Sequence, residues 1–247
     1  PIDTVKVVQL CYSLGITSTD DLKKISNKHQ KIKSKIRQIA VPTTLSGGEY
    51  SIIGGAMDTK IQLKERYTGD DLCPQVVILD PTITLHTPDW LWLSTAIRSV
   101  DHAVEGLCSN STNPLMPPMA LNSLQLFGNS LRNTHKNRDD IVSRSLSQKA
   151  VWMIAKNLGN TPMGASHGIG YLLGSIGSVP HGYTSCVMLP AVLKWNESYN
   201  QDKQKWIANA LGRPKLSASE AVGELISDLG LPRTLGEVGI KESQWEK

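Results

Sequence analysis

The sequence predicts an α/β segment over residues 1–83 followed by an all-α domain over residues 84–247. Three observations carry that expectation. Helix-like and strand-like stretches alternate up to Pro81. A continuous apolar run, Val76-Val77-Ile78-Leu79, stops at Asp80-Pro81. Beyond Thr87 the apolar residues recur with helical spacing, and no stretch reads convincingly as a strand.

Residues 3–14 place Val5, Val7, Val8, Leu10 and Cys11 on a helical stripe, with Asp3 or Thr4 where an N-cap belongs. Residues 39–41 make a short strand ended by Pro42, which cannot donate to a sheet ladder. The run 76–79 suits a parallel strand covered on both faces. Thr87-Pro88-Asp89 combines a cap, a first-turn proline and a carboxylate at the positive end of a helix. Helices are expected near 88–109, 115–133, 139–157, 165–175, 182–197, 202–211 and 217–229, and the domain boundary near 81–86. No internal repeat or low-complexity segment interrupts this order.

Hydrophobic residues at 40% and charged residues at 19% are ordinary for a globular chain. The net charge of +4 has one local source, Lys23, Lys24, Lys28, Lys31, Lys33, Lys35 and Arg37. No aromatic residues interleave that cluster, so it reads as a solvated face and not as a nucleic-acid surface. Cys11, Cys73, Cys108 and Cys186 lack the paired spacing of a zinc site and read as thiols in a reducing, cytoplasmic setting. No apolar run approaches a membrane span and no signal peptide is evident. The chain begins at Pro1 without Met, which suggests a fragment, a trimmed chain or a processed product.

Three histidines stand out by context. His102 has Arg98 four residues earlier and Glu105 three later, so all three lie on or near one helix face. His167 sits among small residues in Gly164-Ala165-Ser166-His167-Gly168-Ile169-Gly170-Tyr171. His181 follows in Val179-Pro180-His181-Gly182, at a turn that opens the next helix. Spacing alone leaves two readings open: separate structural histidines, or a converging metal or proton-transfer site.

Ser166-His167-Gly168-Ile169-Gly170, Pro180-His181-Gly182, Asp101-His102-Ala103-Val104-Glu105, Leu79-Asp80-Pro81 and Val41-Pro42-Thr43-Thr44 occur in an order that resembles iron-containing alcohol dehydrogenases. Leu231-Pro232-Arg233-Thr234-Leu235 adds a match, and the wording is most similar to the maleylacetate-reductase-like, fungal-type branch. The resemblance implies a dehydroquinate-synthase-like fold: a partial dinucleotide-binding domain that takes NAD or NADP, then a helical domain that holds a divalent metal, Fe or Zn. It places metal ligands at His102, His167 and His181, and nucleotide contacts at Asp3, Thr43, Thr44, Ser46 and Lys64.

The sequence departs from that pattern in two places. The family's aspartate ligand, four residues before the first histidine, is Arg98, which offers only donors and keeps its charge. Asp101 is no easy substitute, being about 100° around the helix from His102. A fixed guanidinium can instead bind a substrate carboxylate or polarise a carbonyl, or simply pair with Glu105 or another carboxylate. A histidine one turn after His167 is Tyr171. The resemblance places a glycine-rich phosphate turn just before Pro1, so the sequence is expected to start immediately after it.

Two functions follow. One is an NAD(P)H-dependent, metal-independent reductase of a small carbonyl or unsaturated acid, with Arg98, His102, Tyr171, His167 and His181 as catalytic residues. The other is a non-redox acid–base enzyme (dehydratase, isomerase, lyase or cyclase) or an inactive paralogue built on the same cleft. The expected partners are a small, carboxylate-bearing substrate and further copies of the chain, which would cover the edge of a half-built sheet.

Overall fold

The computed structural model describes residues 2–60, 63–155 and 161–242. It divides into two compact units, residues 1–42 with 47–79 and residues 43–46 with 80–247.

The first unit begins with helix α1 (Ile2–Leu14) and the short α2 (Thr19–Lys24). Ser18 caps α2 through Asp21 N–H. Strands β1 (His29–Gln30), β3 (Ile53–Asp58) and β4 (Leu63–Gly69) form one sheet in the order β1-β4-β3. β3 runs antiparallel to β4, and β1 runs parallel to it. β2 (Ile39–Ala40) pairs in parallel with β5 (Val76–Val77), Ile39 opposite Val76. Val7 and Leu10 of α1 close a small core with Ile32, Tyr67 and Leu72.

Several expectations for this unit change. Asp3 and Thr4 lie inside α1 and do not cap it. The helix buries Lys6, Val7, Gln9 and Leu10, while Val5 and Val8 are exposed. Lys6 is drawn inward because its ammonium donates to the carbonyls of Gly48, Ser51 and Ile53. The β2–β5 pair is parallel as its composition suggests, but Val76 and Ile78 are exposed, so this strand is not covered on both faces. The β3–β4 pairing has no counterpart in the predicted elements. Its Gly54-Gly55 and its charged Glu65-Arg66 mask the alternation that marks a strand. Gly54 is small because a Cβ there would stand 3.1 Å from the Asp3 carbonyl oxygen on α1.

The second unit is built on helix α3 (Asp89–Cys108), buried continuously from Trp92 to Leu107. Around it pack α4 (Met116–Lys136), α5 (Ile141–Ala155), α7 (His181–Trp195), α8 (Gln201–Ala210) and α6 (Ala165–Ile176), with α9 (Ala218–Asp228) against α7. The predicted helix series is present, with ends displaced by a few residues; the expected end near 157 lies outside the described residues. Thr87 does not cap α3; its hydroxyl donates to the Thr43 carbonyl at 2.8 Å and ties residues 43–46 to this unit. Arg144 of α5 lies 4.7 Å over the Trp92 ring and donates to the Thr84 carbonyl at 3.0 Å. Ser217 and Glu220 form a full capping box on α9. The basic residues 23–37 are exposed, and Lys23, Lys24 and Arg37 pair with Asp58, Asp21 and Asp71. Among the described residues no helix is long and apolar enough to cross a membrane.

Glu49 in the first unit gives a pH test. Burial pushes its carboxyl up to about 7, against the pull of Lys6. A raised carboxyl binds more protons folded than unfolded, so its contribution to stability is lost as pH rises through that value. Glu49→Gln should therefore be less destabilising at pH ~8 than at pH ~5, measured by denaturant unfolding. An equal effect at both pH values would contradict the burial of this carboxyl.

Candidate functional site

Helix α3 is enclosed by its neighbours and so cannot present a charged face to water. Yet it carries Arg98, Asp101, His102 and Glu105, all buried. Their spacing makes one stripe along the helix. Groups of this kind must be satisfied inside the protein, because burying an unpaired charge costs several kcal/mol.

The partners come from α6 and α7. Asp101 is fully buried, and its Oδ2 accepts from Ser166 Oγ of α6 at 2.8 Å and Ser185 Oγ of α7 at 2.6 Å. Arg98 Nη1 donates to Ser185 Oγ at 3.0 Å and lies 3.8 Å from Asp101 Oδ2. His167 Nδ1 is 2.7 Å from Glu105 Oε2 and 3.4 Å from Asp101 Oδ2. Glu105 also accepts the main-chain N–H groups of Gly164 at 2.8 Å and Ser166 at 2.7 Å. The His102 and His167 rings stack with centroids 4.7 Å apart.

Small residues make these approaches possible. A Cβ on Gly164 would lie 2.7 Å from Glu105 Oε1, and one on Gly170 would lie 3.0 Å from Thr184 Oγ1. The α6–α7 turn runs through Ser178 at φ 54, a left-handed conformation uncommon for a residue with a Cβ. His181 then opens α7.

The environment separates the two stacked imidazoles. Burial holds His102 well below the usual histidine range, and the nearby positive charge of His167, Arg98 and His181 deepens the effect. Burial opposes protonation of His167 too, but the Asp101 charge and hydrogen bonds to Asp101 and Glu105 outweigh it and raise its pKa. Burial likewise works against ionisation of Asp101, yet His167, Arg98 and Ser185 hold its carboxyl low. Arg98 keeps its charge, since a guanidinium is not deprotonated in proteins. Among the described residues, Arg98 Nε, His102 Nδ1, Asp101 Oδ1 and His167 Nε2 are buried without a hydrogen-bond partner.

The predicted site residues therefore fall into three groups. Arg98, His102 and His167 are brought together. Tyr171 and His181 lie exposed on α6 and at the start of α7, with His181 near enough to press on the charge of His102. Of the nucleotide set, Asp3 stands in the first turn of α1, whereas Thr43, Thr44 and Ser46 belong to the second unit. Lys64 lies in β4, and its side chain is outside the described residues. Thr44 and Ser46 hydroxyls are 3.3 Å apart, and the intervening Leu45 N–H donates to Thr95 Oγ1 on α3 at 3.1 Å.

The sequence reading missed Ser166, Ser185 and the principal role of Asp101. Arg98 turns to Asp101 and not to Glu105, which is committed to α6. Ligand atoms within 4.8 Å of one another occur on Asp101, Glu105 and His167, and the three histidines do not form such a group. A cavity of about 560 Å³ shares Glu105 and Gly164 with this cluster, lined further by Cys108, Trp195 and Tyr199; Arg98, His102 and His167 are not in its wall.

Comparison with known proteins places this geometry in context. Residues 93–247 match the family model for the C-terminal part of the Fe-containing alcohol dehydrogenase family. Dehydrogenase ALT3 of Alternaria alternata is 36% identical over 241 residues, covering 84% of this chain and 62% of that protein. Dehydrogenase FUM7 of Gibberella moniliformis is 30% identical over 286 residues, covering 99% of this chain and 67% of that protein. The crystal structure of maleylacetate reductase from Rhizobium sp. strain MTP-10005 superposes with a TM-score of 0.78 at 26% identity, over 85% of this chain and 59% of that one. The chain thus spans roughly three fifths to two thirds of the length of these relatives.

The close approach of α7 to α3 can be tested at Gly182. A Cβ there would lie 2.7 Å from the Ser94 carbonyl carbon, a main-chain atom that cannot swing aside. Gly182→Ala should destabilise the chain by about 1–3 kcal/mol in denaturant unfolding. Unchanged stability would show that the two helices are not in this contact.

Proposed function

The chain belongs to the Fe-containing alcohol dehydrogenase family, and on that premise we propose that it serves a nicotinamide-dependent reductase acting on a small carbonyl or unsaturated acid. The observation that carries this reading is Arg98, a buried guanidinium pinned by Ser185 and Asp101 beside His102 and His167.

The residues do not fit the divalent metal that the family name implies. Arg98 brings a fixed positive charge to the position of the expected carboxylate ligand, and cations repel one another by several kcal/mol at close range in a poorly screened interior. The one compact ligand group among the described residues is already engaged. Asp101 Oδ2 accepts from two serine hydroxyls, Glu105 accepts from main-chain N–H groups, and His167 Nδ1 is turned to Glu105. No step is therefore routed through a metal.

The residues of the 43–46 loop do fit a nucleotide. Thr43 is exposed, Thr44 and Ser46 hold hydroxyls side by side, and Leu45 anchors the loop to α3 through Thr95 and Ser99. NAD or NADP, when bound, supplies the hydride. Thr43, Thr44 and Ser46 are the residues of this unit that would hold it.

Arg98 polarises the substrate carbonyl or holds its carboxylate, in the way that fixed donors stabilise developing negative charge. His167, kept protonated by Asp101 and Glu105, delivers a proton from Nε2 to the carbonyl oxygen as hydride reaches the carbon, giving an alcohol. In an unsaturated acid the same proton goes to the carbon beside the carboxylate. His102, kept neutral by burial, stacks on His167 and holds the plane of that ring. Tyr171 and His181, both on the open side of their helices, orient the substrate.

The test is consumption of NADH or NADPH with 2-oxo and unsaturated acids and with simple aldehydes, with and without a chelator. The expected outcome is oxidation that survives the chelator and falls at least about 100-fold in Arg98→Ala, the scale of losing one oriented donor. No consumption with either substrate class would overturn the redox reading in favour of acid–base chemistry. Activity that needs added metal would overturn the role given to Arg98.

A further inference from the structure

We infer that Glu105 is the positioning residue of His167, an inference that deepens the proton-donor reading above and rests on it. Helix α6 has no side-chain cap of its own, because its N-cap is Gly164. The cap is supplied by Glu105 from α3. Oε1 accepts Ser166 N–H at 2.7 Å, and Oε2 accepts Gly164 N–H at 2.8 Å and His167 N–H at 3.4 Å. The same Oε2 is 2.7 Å from His167 Nδ1. One carboxylate oxygen thus takes both the main-chain N–H and the ring nitrogen of a single residue, which fixes the backbone and the ring of His167 together.

This arrangement selects a hydrogen-bond polarity. Among the described residues, every other hydrogen bond of the Glu105 carboxylate is from an N–H donor, so His167 Nδ1 donates to it and carries a hydrogen. The remaining nitrogen, Nε2, is buried without a partner and is the one left for a reacting group. A carboxylate that fixes the tautomer and direction of an imidazole is the recurring way in which proteins aim a histidine. Gly164 belongs to the device, since a Cβ there would meet Glu105 Oε1 at 2.7 Å. Asp101, 3.4 Å from the same Nδ1, supports the ring but is occupied by Ser166 and Ser185. Glu105 makes the shorter contact and is the one that also reaches the backbone of α6.

The experiment is nitrogen NMR of the chain with isotopically labelled histidine, with His167 assigned by its loss in His167→Asn. The wild-type chain should show His167 Nδ1 bearing hydrogen in a slowly exchanging hydrogen bond. Glu105→Leu keeps comparable bulk and offers no acceptor, so in that variant the slowly exchanging Nδ1 signal should be lost or broaden into exchange. A wild-type ring with bare Nδ1 overturns the inference whether or not the variant folds. A folded variant with an unchanged ring does so too. With an active enzyme, Glu105→Leu should lower kcat at least about 100-fold with KM changed by less than about threefold. The NMR arm needs neither nucleotide nor substrate, so it can succeed where the reductase reading fails, and the reverse.

Discussion

The second unit depends on satisfying the charged stripe of a helix that has no open face. α3 is enclosed from Trp92 to Leu107, and four of the residues in that stretch are Arg98, Asp101, His102 and Glu105. Removing such groups from water is unfavourable by several kcal/mol each unless they find one another or find backbone dipoles. The structure meets this with two short-residue helices. α6 gives the hydroxyl of Ser166, the N–H groups of its first turn and the imidazole of His167; α7 gives Ser185. The helix order around α3 and the local chemistry are therefore one problem with one solution.

The charges within that cluster are close to balanced. The Asp101 and Glu105 carboxyls are set against the Arg98 guanidinium and the His167 imidazole, whose pKa they raise. A divalent ion held by one aspartate and three neutral imidazoles carries net positive charge and leaves its field open toward a substrate. The guanidinium differs in kind: its charge is spread over a plane and its donors have fixed directions. One donor is committed to Ser185, and Nε is buried with no partner. Asp101, one turn on from Arg98, faces both Arg98 and His167.

Much of this could be read in advance, and the failures have physical causes. The helical series after Thr87 was legible because each helix repeats apolar residues at its own period over three turns or more. Arg98, His102 and His167 were legible because their motifs stand in a recognisable order. An angle measured from His102 alone does not reveal Asp101. The ring it serves is His167, which arrives from another helix and has no fixed phase relative to α3 in the sequence. Ser166 and Ser185 carry no signal of their own, since serines of this kind are common in turns and caps. The β3–β4 pairing was hidden because glycine and charge replace its apolar alternation, and its glycine is explained only by the closeness of α1.

The stretch Gly164-Ala165-Ser166-His167-Gly168-Ile169-Gly170 follows from the same constraint. Glycine in a helix interior disfavours helix formation by about 1 kcal/mol relative to alanine, so Gly168 and Gly170 weaken α6 as an isolated helix. What offsets this is contact. Gly164 lets the Glu105 carboxylate reach three main-chain donors, and Gly170 lets Thr184 of α7 come close. A helix that forms poorly alone and is capped by a neighbouring carboxylate should be ordered mainly when that neighbour is in place. The position of His167 is then tied to the integrity of α3, and any change that tilts α3 reaches the imidazole through Glu105 before it reaches it through packing.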